Sequence, residues 1–167
     1  MKSFKTFSGI AAPLIRVNID TDAIIPSREI KTVSKKGLSG GLFAEWRYLS
    51  LESRKENPDF ILNQDPFKKA SILVTGNNFG CGSSREHAVW ALSEWGIRAI
   101  IAPSYGSIFY SNCIKNGILP IVMDGRVISS MSEFIKDNPE ENRLTVNLIK
   151  NEVSYSNEVI ETFVIQK

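Results

Sequence analysis

The middle of the chain, from residue 70 to residue 123, alternates short apolar runs with longer stretches of helical periodicity. The runs have strand length and a glycine closes each helical stretch, in the order 70–75, 84–95, 98–102, 106–116 and 119–123. This order predicts a β-α-β-α-β unit, whose strands are parallel and joined by right-handed crossovers. The first helix is apolar on nearly every side, so we expect it to be buried.

Weaker patterns flank this unit. Residues 4–19 carry apolar positions interrupted by a glycine and by Pro13, which predicts one or two strands. Residues 42–51 have apolar side chains at the spacing of a short amphipathic helix. A Ser-x-x-Glu capping box at Ser130 predicts a further helix that ends before Pro139.

The last part of the chain has three short runs separated by Asn, Glu and Ser residues. They span 143–148, 153–156 and 159–165, and they predict an antiparallel meander. Because no repeat, low-complexity tract or linker divides the chain, residues 1–167 are expected to form a single domain.

A glycine-rich loop lies between the predicted strand 70–75 and the helix that follows it. Gly76, Gly80 and Gly82 permit positive φ and leave no Cβ between the loop N–H groups and a ligand. Ser83 and Glu86 form a capping box, which predicts that the helix begins here. Since the unpaired N–H groups of a helix start attract anions, the loop predicts an anion site.

Arg85 follows Ser83 and Ser84 in the predicted first helical turn, where a cation opposes the helix dipole. Two interpretations stay open: bidentate binding of a carboxylate or phosphate, or an ion pair with a nearby Asp or Glu. The loop matches neither a Walker A loop, nor a dinucleotide fingerprint, nor a nucleophile elbow. A nucleotide loop of a known kind is therefore not indicated.

Two further stretches are candidates for chemistry. Asp20 and Asp22 would share one face of an extended segment, where paired carboxylates bind a metal, act as acid and base, or cap a turn. Residues 28–41 are polar, basic and glycine-rich without a clear period, which predicts a mobile loop.

Residues 78–88, Asn-Phe-Gly-Cys-Gly-Ser-Ser-Arg-Glu-His-Ala, resemble the signature of the aconitase superfamily's swivelling domain. In the form with Cys81, and on a short separate chain, they resemble the small-subunit family of 3-isopropylmalate dehydratases. Residues 18–26 and 72–122 extend the resemblance. It implies an α/β fold, namely a three-layer β/β/α swivelling domain with a parallel central sheet and an antiparallel second sheet.

The resemblance also implies roles for individual side chains of the loop. Ser83 would be the catalytic base, and Gly82, Ser84 and Arg85 would bind the substrate. A serine hydroxyl is not ionised at neutral pH, so it needs electrostatic help to act as a base.

Residues outside the loop would complete the site by the same resemblance. Asp20, Asp22 and His87 would support it, and residues 28–41 would form a mobile lid. In the lid, the residues expected to contact the variable side group of the substrate are Ile30, Lys31, Thr32 and Val33.

The reaction implied is the isomerisation of 2-isopropylmalate and 3-isopropylmalate, by dehydration and rehydration of a small hydroxy-dicarboxylate, in leucine biosynthesis. In the superfamily a [4Fe-4S] cluster acts as the Lewis acid and takes three cysteines. This chain has only Cys81, Cys113 and one histidine. It is therefore expected to hold no cofactor or metal itself, and to form a heterodimer with a large subunit that carries the cluster. Cys113 lies in an apolar helical stretch and is expected to serve packing.

Charge and composition narrow the partners and the location. The net charge of +2 with scattered cations does not indicate nucleic acid binding. No apolar run approaches the ~20 residues of a membrane span, and the N-terminus does not resemble a secretory signal. A cytoplasmic protein with reduced cysteines is expected.

Three other functions stay open from the residues. One is the small subunit of a related hydro-lyase, such as homoaconitase or a methylated-malate dehydratase. Another is a hydrolase with a Ser83–His87 pair, although a lone helical His is also a common structural residue. The third is a non-catalytic anion-binding module.

Overall fold

The computed structural model describes residues 5–30, 35–155 and 160–165. In chain order, the strands and α-helices in these ranges are β1 (Thr6–Gly9), β2 (Ala11–Leu14), α1 (Thr21–Ile24), α2 (Ala44–Arg47), β3 (Ile72–Thr75), α3 (Glu86–Trp95), β4 (Ala99–Ala102), α4 (Ser107–Lys115), β5 (Leu119–Val122), α5 (Gly125–Asp137), β6 (Leu144–Asn147), β7 (Glu152–Ser154) and β8 (Ile160–Thr162). Across these ranges, each helix is too short or too polar to cross a membrane.

The strands form two sheets. One is parallel, in the order β2-β3-β4-β5, and the other is antiparallel, in the order β1-β6-β7-β8. The predicted β-α-β-α-β unit is confirmed as β3-α3-β4-α4-β5, and so is the α/β fold with one parallel and one antiparallel sheet.

The N-terminal stretch contributes one strand to each sheet. Only Ile10 separates β1 from β2, yet β1 pairs with β6 and β2 pairs with β3. β2 lies at the edge of the parallel sheet, which is the position in a sheet where Pro13 is tolerated. The prediction of one or two strands is confirmed as two, and the connection between them joins the two sheets.

The core is built on the parallel sheet. β3 and β4 are buried along their whole length, as parallel strands covered on both faces are. α5 packs against β2, β3 and β4, and α4 packs against β5 and α3. The expectation that α3 is buried is confirmed for Ala88, Val89, Ala91 and Leu92, which expose none of their surface.

Two predicted helices have different bounds. The helix predicted at 42–51 is the single turn α2, because Phe43 has a left-handed φ of 51° and Tyr48 is extended. The helix predicted from the Ser130 capping box begins earlier, because the Asp124 carboxylate accepts from the Arg126 N–H at 2.8 Å and caps it. It ends at Asp137, before Pro139 as predicted.

Candidate active site

The glycine-rich loop, residues 76–85, follows β3 and lies between the segments that follow β2 and β4; we call it the serine loop. Backbone hydrogen bonds hold it on both sides. They are Asn18 N to Asn77 O at 2.8 Å, Gly80 N to Ile19 O at 2.7 Å, Thr21 N to Cys81 O at 2.9 Å, Phe79 N to Ser104 O at 3.1 Å and Gly106 N to Phe79 O at 2.9 Å. The loop is therefore fixed at the carboxyl edge of the parallel sheet, where ligands of α/β proteins bind.

The loop glycines have separate structural reasons. Gly80 and Gly82 have φ of +76° and +92°, which confirms the prediction of positive φ for these two. A Cβ at Gly76 would overlap the Arg16 carbonyl, and a Cβ at Gly80 would lie 2.7 Å from the Phe109 Cβ. The close approach that the missing Cβ permits at Gly76 and Gly80 is therefore made by other segments of this chain. At Gly82 the nearest atom to an added Cβ is Asp20 Cβ at 3.4 Å, so only the φ angle favours glycine there.

Replacing Gly80 with alanine is expected to lower the free energy of unfolding by roughly 2–5 kcal/mol, because strain at positive φ adds to overpacking against Phe109. Urea denaturation followed by circular dichroism measures the change. Gly125→Ala is the matched control, since its added Cβ meets nothing within 4 Å and its φ is not positive. Equal urea midpoints for the two variants would contradict the expectation.

The start of α3 differs from the prediction. The helix begins at Glu86, Arg85 is its N-cap with extended backbone, and no side chain caps it. The predicted start at Ser84 and the capping box at Ser83 are therefore wrong. The Ser83 carbonyl accepts hydrogen bonds from Thr21 Oγ1 at 2.9 Å and from Arg85 N at 2.9 Å. These two hydrogen bonds take the place of the one that this carbonyl would accept in a helix.

Ser83 and Ser84 consequently lie in the loop, just before the helix. Gly82, Ser83 and Ser84 are exposed. Within the described part of the chain, no residue accepts a hydrogen bond from their backbone N–H groups. Three successive N–H groups and two hydroxyls near a helix N-terminus can together bind an anion or stabilise negative charge on an oxygen.

Arg85 is paired within the chain. Its Nη1 donates to Asp22 Oδ1 at 3.2 Å and to the Ile25 carbonyl at 3.0 Å. The ion-pair interpretation of Arg85 is thus confirmed, and the guanidinium is held between α1 and α3. Both contacts use Nη1, and the planar fork has further donors for a second carboxylate. Binding of a ligand carboxylate by Arg85 stays a prediction.

The two aspartates have different roles. Asp20 is the N-cap of α1, and its Oδ1 accepts from the Ala23 N–H at 2.7 Å, so the turn-capping interpretation is confirmed for this residue. The expectation that Asp20 and Asp22 share a face of an extended segment is wrong, because the cap starts a helical turn. Asp22 lies beside Arg85 instead. The described residues contain no group of three or more His, Cys, Asp or Glu side chains that could hold a metal ion.

His87 contacts an aromatic ring. Its ring packs edge-on against Trp90 with centroids 4.9 Å apart. Because Ser83 precedes the helix, the four-residue spacing does not place it one turn below His87, and the described structure has no hydrogen bond between the two side chains. The geometry that a Ser83–His87 pair requires is thus missing.

The two cysteines are both free. Cys113 is completely buried, and this burial raises the pKa of its thiol well above the usual range. The prediction that it serves packing is confirmed. Cys81 is partly exposed, and its carbonyl accepts from Thr21 N at 2.9 Å.

Of the predicted lid, Lys31, Thr32 and Val33 lie outside the described residues, whereas Ile30 is described and half-buried. The C-terminal part of the lid is held by Glu94, which accepts from Gly37 N at 2.6 Å and Ser39 N at 2.7 Å. These hydrogen bonds lower the pKa of the Glu94 carboxyl.

Sequence reasoning missed two residues that shape this region. Arg47 is buried, and its side chain donates to the carbonyls of Ser39 at 2.6 Å and Leu42 at 3.0 Å. Its guanidinium also stacks on the Trp95 ring. Burial lowers the pKa of Arg47. No local pattern marks Arg47. Thr21, which binds the Ser83 carbonyl, has a signal in the sequence because it lies between the two aspartates.

Comparisons with known proteins agree with one another. Residues 1–126 match the aconitase C-terminal domain family. The chain is 54% identical over 153 residues to a 3-isopropylmalate dehydratase small subunit of Cupriavidus necator, covering 92% of this chain and 74% of that protein. It is 47% identical over 163 residues to one of Roseobacter denitrificans, covering 98% and 80%.

A solved structure gives the same match. The crystal structure of 3-isopropylmalate dehydratase from Methanocaldococcus jannaschii superposes with a TM-score of 0.67 at 28% sequence identity. The match covers 97% of this chain and 83% of that chain.

Proposed function

Because the chain belongs to the family of 3-isopropylmalate dehydratase small subunits, we propose that its serine loop supplies the substrate-binding and proton-transfer groups of that hydro-lyase. The reaction is the isomerisation of 2-isopropylmalate and 3-isopropylmalate in leucine biosynthesis. The observation that carries the proposal is that the exposed residues Ser83 and Ser84 directly precede Arg85, whose Nη1 is held by Asp22 and the Ile25 carbonyl.

Ser83 is the proposed base. Its side-chain oxygen, in an ionised, alkoxide-like form, accepts the proton from the carbon next to a substrate carboxylate and becomes a neutral hydroxyl, while the electron pair of the broken C–H bond forms the double bond as the substrate hydroxyl leaves. The backbone N–H groups of residues 82–84 and the N-terminus of α3 stabilise the negative charge of this oxygen before the proton arrives, which favours the ionised form that acts as the base. After the proton has moved, the same oxygen returns it when the elements of water add in the opposite regiochemistry.

Arg85, Ser84 and Gly82 are the proposed carboxylate-binding residues. Arg85 donates through the part of its guanidinium that Asp22 and Ile25 do not use, and Ser84 and Gly82 donate a hydroxyl and a backbone N–H. Asp22 has a supporting role because it orients Arg85. Asp20 supports the site through α1, and His87 does so from the first turn of α3.

Departure of the substrate hydroxyl needs an acid, which the family resemblance assigns to a [4Fe-4S] cluster. The sequence has two cysteines, of which Cys113 is buried, and the described residues form no metal-binding cluster, so these residues do not fit a [4Fe-4S] cluster. The large subunit, implied by the family's name, is the proposed carrier of the cluster and the heterodimer partner. The proposal includes a cytoplasmic location, where cysteine thiols such as the two free ones of this chain stay reduced.

We extend the proposal to the domain and its lid. Residues 1–167 form one swivelling domain, which is supported by a structural match across 97% of the chain. Lys31 and Thr32 contact the variable side group of the substrate. The hydrolase and the anion-binding alternatives lack support, since Ser83 and His87 form no pair and the relatives' names describe a dehydratase.

The test is reconstitution with the large subunit. The isolated chain is expected to be colourless and without dehydratase activity, and activity is expected only when the cluster-loaded large subunit is added. Product formation from 2-isopropylmalate is followed by chromatography, with homocitrate as the control substrate that carries a third carboxylate. Turnover by the isolated chain, or preference for homocitrate, would overturn the proposal.

A further inference from the structure

The segment that leads into the active site carries an unusual pair of exposed residues. Ile15 and Val17 expose 49% and 63% of their surface, whereas Leu14 and Ile19 on either side of them are buried. Arg16, between them, lies with its guanidinium 4.2 Å from the centre of the Trp46 ring. A single exposed apolar side chain is ordinary in a folded protein, whereas two β-branched side chains two residues apart place uncovered apolar surface together in one short segment.

This pair is continuous with the serine loop. Directly after Val17, the Asn18 N–H donates to the Asn77 carbonyl at 2.8 Å. Four residues after Val17, Thr21 Oγ1 donates to the Ser83 carbonyl at 2.9 Å. Four residues of extended chain span at most roughly 14 Å, so Val17 is within that reach of Thr21.

An interface with a second protein that supplies the missing acid must surround the serine loop. A specific interface of ordinary size buries about 800 Å² on each partner, which corresponds to a disc with a radius of roughly 16 Å. Val17 N lies against Gly76 at the start of that loop, since a Cβ added at Gly76 would be 3.2 Å from it, so an interface that covers the serine loop also reaches Val17. Apolar side chains near the centre of such an interface contribute more to affinity than polar residues at its rim.

From these observations we infer that Ile15 and Val17 form a docking surface for the large subunit, whose facing surface is apolar. This inference rests on the proposed function, because it is that function which requires a second subunit at the serine loop. The surface serves association, and neither side chain takes part in the chemistry.

The experiment measures the affinity of the full chain for the cluster-loaded large subunit by isothermal titration calorimetry. The double variant Ile15→Asp, Val17→Asp is expected to raise Kd about tenfold or more. Ile149→Asp is the matched control: Ile149 exposes 70% of its surface in the β6–β7 turn of the antiparallel sheet, whereas the serine loop follows β3 of the parallel sheet. Its Kd is expected to stay within about twofold of that of the unaltered chain.

The outcomes separate the inference from the function. If the unaltered chain binds and the double variant binds within about twofold of it, the inference is overturned while the proposed function stands. If the unaltered chain binds no large subunit, the proposed function fails and the inference fails with it. Should the double variant not fold, Ile15→Thr, Val17→Thr replaces it, and amide hydrogen exchange of residues 15–18 must slow on complex formation for the inference to hold.

Discussion

Replacing Ser83 with alanine is expected to lower the turnover number of the reconstituted enzyme by about 10³-fold or more. The change removes the base while it leaves the loop backbone intact, since among the described residues the Ser83 contacts that hold the loop are made by its carbonyl and not by its hydroxyl. The loss should therefore fall on kcat, with KM changed little, because proton removal belongs to the transition state.

Initial rates with 2-isopropylmalate over a range of concentrations measure the two constants for Ser83→Ala. Ser93→Ala is the matched control, because Ser93 is an exposed serine of α3. Calorimetric titration with the large subunit checks that Ser83→Ala still forms the complex. A Ser83→Ala complex that retains a tenth of the original turnover would rule out Ser83 as the base.

Replacing Arg85 with lysine is expected to lower kcat/KM by roughly 10²–10³-fold. Lysine keeps the charge, but an ammonium cannot donate at the same time to Asp22, to the Ile25 carbonyl and bidentately to a substrate carboxylate. Loss of two charge-assisted hydrogen bonds amounts to about 3–4 kcal/mol, which corresponds to this change. Most of the effect should be in KM, since a carboxylate is bound in the ground state as well.

The same kinetics measure this effect, with Arg126→Lys as the control on an exposed arginine of α5. Asp22→Asn should give a smaller rise in KM, because Arg85 then loses the partner that orients it.

A rescue experiment separates a binding role of Arg85 from a structural one. Added guanidinium should restore activity to Arg85→Ala if the missing group binds substrate. No rescue, together with unfolding of the variant, would instead assign Arg85 a structural role.

The serine loop illustrates how far local sequence can lead. The spacing of its glycines predicted positive φ, and the structure confirms this for Gly80 and Gly82. The capping box at Ser83 predicted a helix start two residues too early, since Arg85 is the N-cap. The hydrogen bond that competes with the predicted helix start comes from Thr21 Oγ1, and Thr21 lies 62 residues away along the chain. The residues around Ser83 carry no sign of this hydrogen bond.

The aspartates show the same limit. A pair of carboxylates two residues apart permitted a metal site, an acid–base pair or a turn. In the structure Asp20 caps a turn, because its carboxylate accepts a hydrogen bond from the Ala23 N–H. Asp22 forms an ion pair with Arg85, and this contact depends on how α1 and α3 pack together. Arg47 gave no sequence signal, since burial of an arginine depends on distant aromatic rings.

Local patterns along the chain were enough to predict the order of strands and helices in the parallel unit, the positive φ of Gly80 and Gly82 and the family to which the chain belongs. These follow from periodicity and from residue types within a few positions of one another. Three other features were visible only in the folded protein: β1 and β2 enter different sheets, α3 begins at Glu86, and Arg85 is held by Asp22. Each of these depends on hydrogen bonds between residues far apart in the chain, whose energies compete with local preferences and, at these positions, exceed them.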